Sequence, residues 1–250
     1  MTVSPEDHFL AAELATGAGR ILLDLRRRLD EGEEPKSVKD AGDAASHAWL
    51  TGQLAQRRPH DAVLSEEAAA DPARLVAERL WIIDPLDGTR EFGEAGRIDW
   101  AVHVALVVGG EAVAGAVALP GMDRTLHTAE PPLVPPNNGR APIVVVSRTR
   151  PPAAAEAVAR GLGGDLLAMG SAGAKAMAVV RGEADVYVHT GGQYEWDSAA
   201  PVAVALASGL HCSRVDGSPL EYGRESTWLP DLLIVRPELA EATLAILATA

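Results

Sequence analysis

The stretch Trp81-Ile82-Ile83-Asp84-Pro85-Leu86-Asp87-Gly88-Thr89 constrains this chain more than any other. An apolar strand-like run ends in a carboxylate, a proline turn follows, and a second carboxylate stands three residues after the first. Two carboxylates forced together repel, so the turn is costly unless a cation sits between them. Gly88 lets the backbone behind them approach a ligand closely. The donors on offer are all oxygen, the two carboxylates and the Leu86 carbonyl, which suits a hard ion such as magnesium at about 2.0–2.1 Å. Asp-Pro and Asp-Gly are also ordinary turn dipeptides, so the string gains meaning from what else the chain carries.

Two further acidic elements matter. Glu66-Glu67 follows the apolar run Ala62-Val63-Leu64, although a solvated pair opening a helix would look the same. Asp197, in Glu195-Trp196-Asp197-Ser198-Ala199-Ala200, precedes an alanine-rich helix, where a plain N-cap would also stand. One shared metal site explains all three carboxylate elements more simply than three unrelated features.

The bulk numbers narrow the function classes. With 250 residues, 47% of them hydrophobic, the chain suits one large domain or two closely packed halves. A net charge of −13 disfavours a nucleic-acid polymer as partner, so an anionic substrate would be recruited through a bound metal. The single Cys212 leaves no internal disulfide or cysteine-rich zinc site and points to a reducing compartment. Glu6 and Asp7 stand where a signal peptide needs positive charge. No apolar stretch reaches the roughly 18–20 residues of a membrane span. The expectation is a soluble cytoplasmic protein without a membrane partner.

Periodicity supplies the architecture. Leu10, Leu14, Ala18, Ile21, Leu22, Leu25 and Leu29 share one helical face, and Gly32 with Pro35 is expected to end that helix. A second helix is expected from about Ala41 to Arg58. Strand-like runs near Trp100–Val108, Ala112–Ala118 and Thr125–Thr128 follow, with Gly109-Gly110 as a hairpin turn. Glu130–Gly139, with four prolines, is the expected boundary between an N-terminal half, 1–135, and a C-terminal half, 140–250. Beyond it strands alternate with helices, as in a sheet covered by helices.

These elements resemble the lithium-sensitive, magnesium-dependent phosphatases of the inositol monophosphatase and fructose-1,6-bisphosphatase superfamily. The likeness runs from the first helix to the last strand. Its first signature, Trp-x-Ile/Val-Asp-Pro-Ile/Leu-Asp-Gly-Thr, matches Trp81 to Thr89. Its second, Trp-Asp-x-Ala-Ala, matches Trp196 to Ala200, and its acidic pair matches Glu66-Glu67. The resemblance implies a layered αβαβα sandwich, of α/β (α+β) class. It also implies metal ligation by Glu66, Asp84, Asp87, Asp197 and the Leu86 carbonyl. Two or three magnesium ions would neutralise the phosphate, acidify a water and stabilise the leaving alkoxide. Thr89 would orient that water together with Asp43, and Gly88 and Thr89 would offer amides to phosphate. Relatives commonly carry threonine three residues before the acid matched by Asp43; here Asp40 stands there, in a loop that reads as shortened. Haloacid dehalogenase-type phosphatases also carry Asp-x-Asp-Gly-Thr, but their aspartates are two apart, whereas Asp84 and Asp87 are three apart around a proline.

Arg90-Glu91-Phe92 resembles the Lys/Arg-Glu-Phe of CysQ-type 3′(2′),5′-bisphosphate nucleotidases; inositol monophosphatases more often show Thr-Asn-Phe. Gly170-Ser171-x-x-x-Lys175 and Ser147-Arg148 resemble nucleotidase segments near substrate. Gly170, Ser171, Lys175 and Arg148 are therefore expected to bind it, alongside Asp87, Gly88, Thr89 and Asp197. The implied reaction is removal of the 3′-phosphate from 3′-phosphoadenosine 5′-phosphate, giving AMP and clearing a by-product of sulfate assimilation. The alternatives carried are inositol-1-phosphate or fructose-1,6-bisphosphate hydrolysis and, further off, a non-catalytic metal-binding regulator. A homodimer stays open. His103 reads as a strand position, and Trp49, Trp100 and Trp228 as packing residues.

Overall fold

The computed structural model describes residues 3–249. Helix α1 (Pro5–Asp30) starts at Ser4, with Pro5 and two acids in its first turn and two arginines in its last, matching both ends of the helix dipole. Helix α2 spans Pro35–Arg57, six residues earlier than Ala41. Pro35 was read as a terminator, but at the first helical turn its missing N–H costs nothing. The stretch around Asp40 is therefore helix rather than a shortened loop.

Five strands follow, β1 (Ala62–Ser65), β2 (Arg79–Asp87), β3 (Ala101–Val108), β4 (Glu111–Leu119) and β5 (Arg124–His127), with the one-turn helix α3 (Thr89–Phe92) after β2. They form one sheet in sequence order. Only β1 and β2 run parallel; the other neighbours are antiparallel. After residue 140 come β6 (Ile143–Ser147), α4 (Ala153–Leu162), β7 (Asp165–Met169), α5 (Ala172–Val180), β8 (Val186–Tyr194), α6 (Glu195–Ala207), β9 (His211–Ser213), β10 (Trp228–Val235) and α7 (Pro237–Leu247). Their sheet has the order β7-β6-β8-β10-β9.

Packing gives five layers, as the sandwich expectation required. One apolar core joins α1 and α2 to the outer face of the first sheet through Leu10, Leu14, Leu22, Trp81, Ile83 and Val104. A second lies between the sheets and holds Ile82, Ala105 and Val117 against Met177 and Val179 of α5 and Val204 of α6. A third packs α4 and α7 on the far sheet through Val144, Val158 and Leu233. Alternation along β2 and β3 sends neighbouring side chains into different cores. Hence both strands are buried throughout their length apart from Val108. No helix among the described residues is long and apolar enough to cross a membrane.

Candidate metal and phosphate site

The site gathers where β1 and β2 end. Parallel register places Ser65 opposite Ile83, so Glu66 leaves β1 beside Asp84. Between Asp84 and Asp87 the pairing of β2 with β3 shifts register. Pro85 has no N–H to give the ladder, and such residues sit at bulges. The shifted turn is closed by Asp84 Oδ1, which accepts from the Leu86 N–H at 3.0 Å. Gly88 follows at φ 84°, ψ 42°, a left-handed conformation that favours glycine. Its Cβ position would also lie 2.9 Å from Ser171 Cβ.

Asp84, Asp87 and Asp197 each bring a carboxylate oxygen within 4.8 Å of the others, the sole such group of His, Cys, Asp or Glu side chains among the described residues. Asp197 comes from the first turn of α6, where it accepts from the Tyr194 N–H at 2.6 Å. Asp84 is buried, and burial followed by the charges of Glu66, Asp87 and Asp197 pushes its carboxyl well above the ordinary range. Burial and Asp197 push Glu66 up to about 7, although Asp84 hydrogen-bonds to it. Asp197 is raised to about 6, by burial and then by Asp87. Such a cluster of oxygen donors lacks a counter-charge, and a hard divalent cation supplies one. The residues present fit magnesium.

Asp87 differs from its neighbours. Burial opposes its ionisation, yet His103 and then Ser171 hold its carboxyl well below the usual range. Ser171 donates its hydroxyl to Asp87, and the Ala172 and Gly173 amides donate at 3.1 and 2.6 Å. The positive end of α5 is thus turned on a protein carboxylate. His103 was missed as a site residue. It is fully buried on β3, pairs across the strands with Asp84, and donates Nδ1–H to the Trp196 carbonyl at 2.9 Å. Its Nε2 lies 3.1 Å from Asp87 Oδ2. The available signal was a histidine in the middle of the apolar run Ala101–Val108.

Of the remaining expected residues, Thr89, Arg148, Gly170, Ser171 and Lys175 line one cavity with Asp87 and Asp197, and several already have partners within the chain. Thr89 donates its hydroxyl to the Leu86 carbonyl at 3.1 Å. Asp43 sits half-buried on α2, and burial, Glu67 and Asp40 raise its carboxyl to about 7. The Gly170 amide, expected to face phosphate, donates to Asp99 at 2.6 Å. The ammonium of Lys175 is buried and donates to the Gly170 and Ser171 carbonyls. Arg148 is held by Glu91 and Glu94, at 2.6 Å each. Glu195 accepts from the Gly223 and Arg224 amides and takes no part in the acidic cluster. A cavity of about 450 Å³ opens beside the cluster, lined among others by Asp87, Thr89, Arg90, Arg150, Tyr194 and Asp197. Neither Arg90 nor Arg150 has an acidic side-chain partner among the described residues, so the cavity carries free positive charge.

The model of the inositol monophosphatase family matches residues 6–133 and 136–249. The chain belongs to the inositol monophosphatase family. Within that family it is 47% identical to a 3′-phosphoadenosine 5′-phosphate phosphatase of Mycobacterium leprae, over 96% of this chain and 93% of that one. It is 30% identical to the 3′(2′),5′-bisphosphate nucleotidase CysQ of Escherichia coli K12, over 87% and 94%. Among solved structures, CysQ of Bacteroides thetaiotaomicron superposes with a TM-score of 0.76 at 26% identity, over 92% and 97%. Family membership explains why the two acidic signatures lie so far apart in sequence and meet in space.

Proposed function

We propose that this chain is a magnesium-dependent phosphomonoesterase that removes the 3′-phosphate of 3′-phosphoadenosine 5′-phosphate, giving AMP and inorganic phosphate. The observation that carries the reading is its likeness to the mycobacterial phosphatase along nearly the whole chain. The role of Glu91 in the Arg90-Glu91-Phe92 segment supports it. Glu91 is buried and holds Arg148 at the cavity wall, tying the first sheet's loop to the second sheet's β6.

In this reading Glu66, Asp84, Asp87, Asp197 and the Leu86 carbonyl hold the metal. Bound there, magnesium supplies neutralisation of the phosphoryl oxygens and acidification of water. The chain's own groups do the rest. The Thr89 hydroxyl, its proton committed to Leu86, presents lone pairs that accept from the attacking water and aim it. Asp43, with a proton affinity near neutral pH, suits the role of general base. As water oxygen bonds to phosphorus its proton passes to Asp43, the bond to O3′ breaks, and O3′ takes a proton from solvent water to leave as the 3′-hydroxyl of AMP. Gly88 and Thr89 amides, Arg90 and Arg150 face the phosphates. Ser171, which donates its hydroxyl to Asp87, supports this arrangement from behind. The two halves, 1–135 and 140–250, then act as one unit, each contributing metal ligands.

The test is phosphate release from adenosine 3′,5′-bisphosphate, inositol 1-phosphate and fructose 1,6-bisphosphate, with and without magnesium and lithium. Magnesium-dependent preference for the bisphosphate, inhibited by lithium, is expected. Preference for an inositol or sugar phosphate would overturn the nucleotide assignment.

A further inference from the structure

We propose that the ring of Tyr194, backed by Trp196, is the surface on which the substrate's nucleobase stacks. This rests on the nucleotidase reading and names the part of the chain that would make it nucleotide-specific. The two rings lie 4.8 Å apart and 12° from parallel. Trp196 packs against the core between the sheets, whereas Tyr194 is 48% exposed and lines the cavity that also holds Asp87 and Asp197. Tyr194 therefore has a supported face and an accessible one. The other tyrosine of that cavity, Tyr187, is buried and has the Lys175 ammonium 5.5 Å from its ring centroid, so its face is taken.

Position makes the open ring useful. The backbone N–H of Tyr194 donates to Asp197 Oδ2 at 2.6 Å. The aromatic plate and a carboxylate of the acidic cluster thus share one helix-capping turn. In a nucleoside 3′-phosphate the sugar alone separates base from phosphate, so a plate fixed beside the phosphate site meets the base. Bases of every kind have a π-face, and stacking on aromatic side chains is tolerant of base identity. Little discrimination between adenine and guanine follows.

The test compares wild type, Tyr194→Ala and Tyr194→Phe as magnesium-loaded enzymes. Adenosine 3′,5′-bisphosphate is the turnover substrate, and 5′-AMP and ribose 5-phosphate are binding probes. Tyr194→Ala is expected to raise KM and weaken AMP binding about tenfold, the loss of roughly one base–aromatic stack. Its kcat and ribose 5-phosphate binding should hold within about twofold of wild type, and Tyr194→Phe should retain wild-type KM. Unchanged KM in Tyr194→Ala overturns the proposal. So does equal weakening of AMP and ribose 5-phosphate, which would mean that the Asp197 turn had been disturbed instead. Failure of the wild type to turn over the bisphosphate, with inositol 1-phosphate cleaved, overturns the nucleotidase reading and the base platform with it.

Discussion

His103 Nε2 lies 3.1 Å from Asp87 Oδ2, and both residues are buried between the first sheet and the start of α5. The other ring nitrogen donates to the carbonyl of Trp196, the residue before Asp197. One imidazole therefore links the Asp87 carboxylate to the backbone just before Asp197, two elements of the cluster that arrive from different halves of the chain. Burial disfavours the imidazolium, but Asp87 beside it raises its proton affinity above the ordinary histidine value.

Replacing this brace should loosen the metal site without unfolding it. For His103→Asn, magnesium affinity is expected to fall about ten- to hundredfold, the usual cost of losing a group that orients ligands. Calorimetric titration of magnesium into the metal-stripped protein measures it. Wild-type affinity would reduce His103 to packing. Gly173→Ala should act in the same direction, because its Cβ would lie 2.0 Å from His103 Nε2.

The cluster trades stability for function. Asp84→Asn should abolish turnover by removing a metal carboxylate, while relieving repulsion among Asp84, Glu66, Asp87 and Asp197. The metal-free variant is expected to be more stable by about 1–2 kcal/mol, a gain of several degrees in Tm for a chain of this size. Thermal unfolding in excess chelator checks this. Retained activity would mean that the metal lies elsewhere.

Charge in the cluster also gives a pH dependence of definite sign. Glu66, raised to about 7 in the folded protein, stays protonated where an unfolded glutamate near 4.3 has already ionised. Its contribution to metal-free stability is full below about pH 4 and is lost as pH rises through about 7. Between pH 6 and 8 metal-free wild type should lose more stability than Glu66→Gln. Magnesium requires ionised carboxylates and should bind more tightly over the same interval. An equal pH slope for both proteins would contradict the assignment.

A second buried ionic cluster is structural. Asp7 receives Arg79 at 2.9 Å and Arg58 at 2.8 Å, and Asp61 holds Arg79 from the other side at 2.9 Å. Burial opposes ionisation of Asp7, but Arg79 keeps its carboxyl well below the usual range. Asp7→Ala would leave the Arg79 charge buried with one partner lost, at a cost of about 3–5 kcal/mol. Arg79 opens β2 at the end away from Asp87, so kcat should be unchanged at moderate temperature. Urea unfolding and steady-state kinetics together test both halves of this prediction.

The layers and the acidic cluster were legible because their signals are local. Apolar period marks helices and strands, and Asp84, Asp87 and Asp197 stand within short strings of defined type. Pro35 was ambiguous by nature, since proline both ends helices and begins them. His103 was hidden because its partner across β2 and β3 is set by register, which spacing along one strand cannot report. Arg148 and Lys175 were expected near substrate from their resemblance to nucleotidase segments, and both line the cavity. Their charges are answered by Glu91 and Glu94 and by two carbonyls, partners 54 to 57 residues away in the case of Arg148. Tyr194 carried no sequence signal beyond standing two residues before Trp196.

The most direct test of the central claim is which phosphate leaves. Phosphorus NMR of the products from adenosine 3′,5′-bisphosphate and magnesium should show 5′-AMP and inorganic phosphate in equal amounts. Adenosine 3′-phosphate as the product, or an intact bisphosphate beside rapidly cleaved inositol 1-phosphate, would contradict the account.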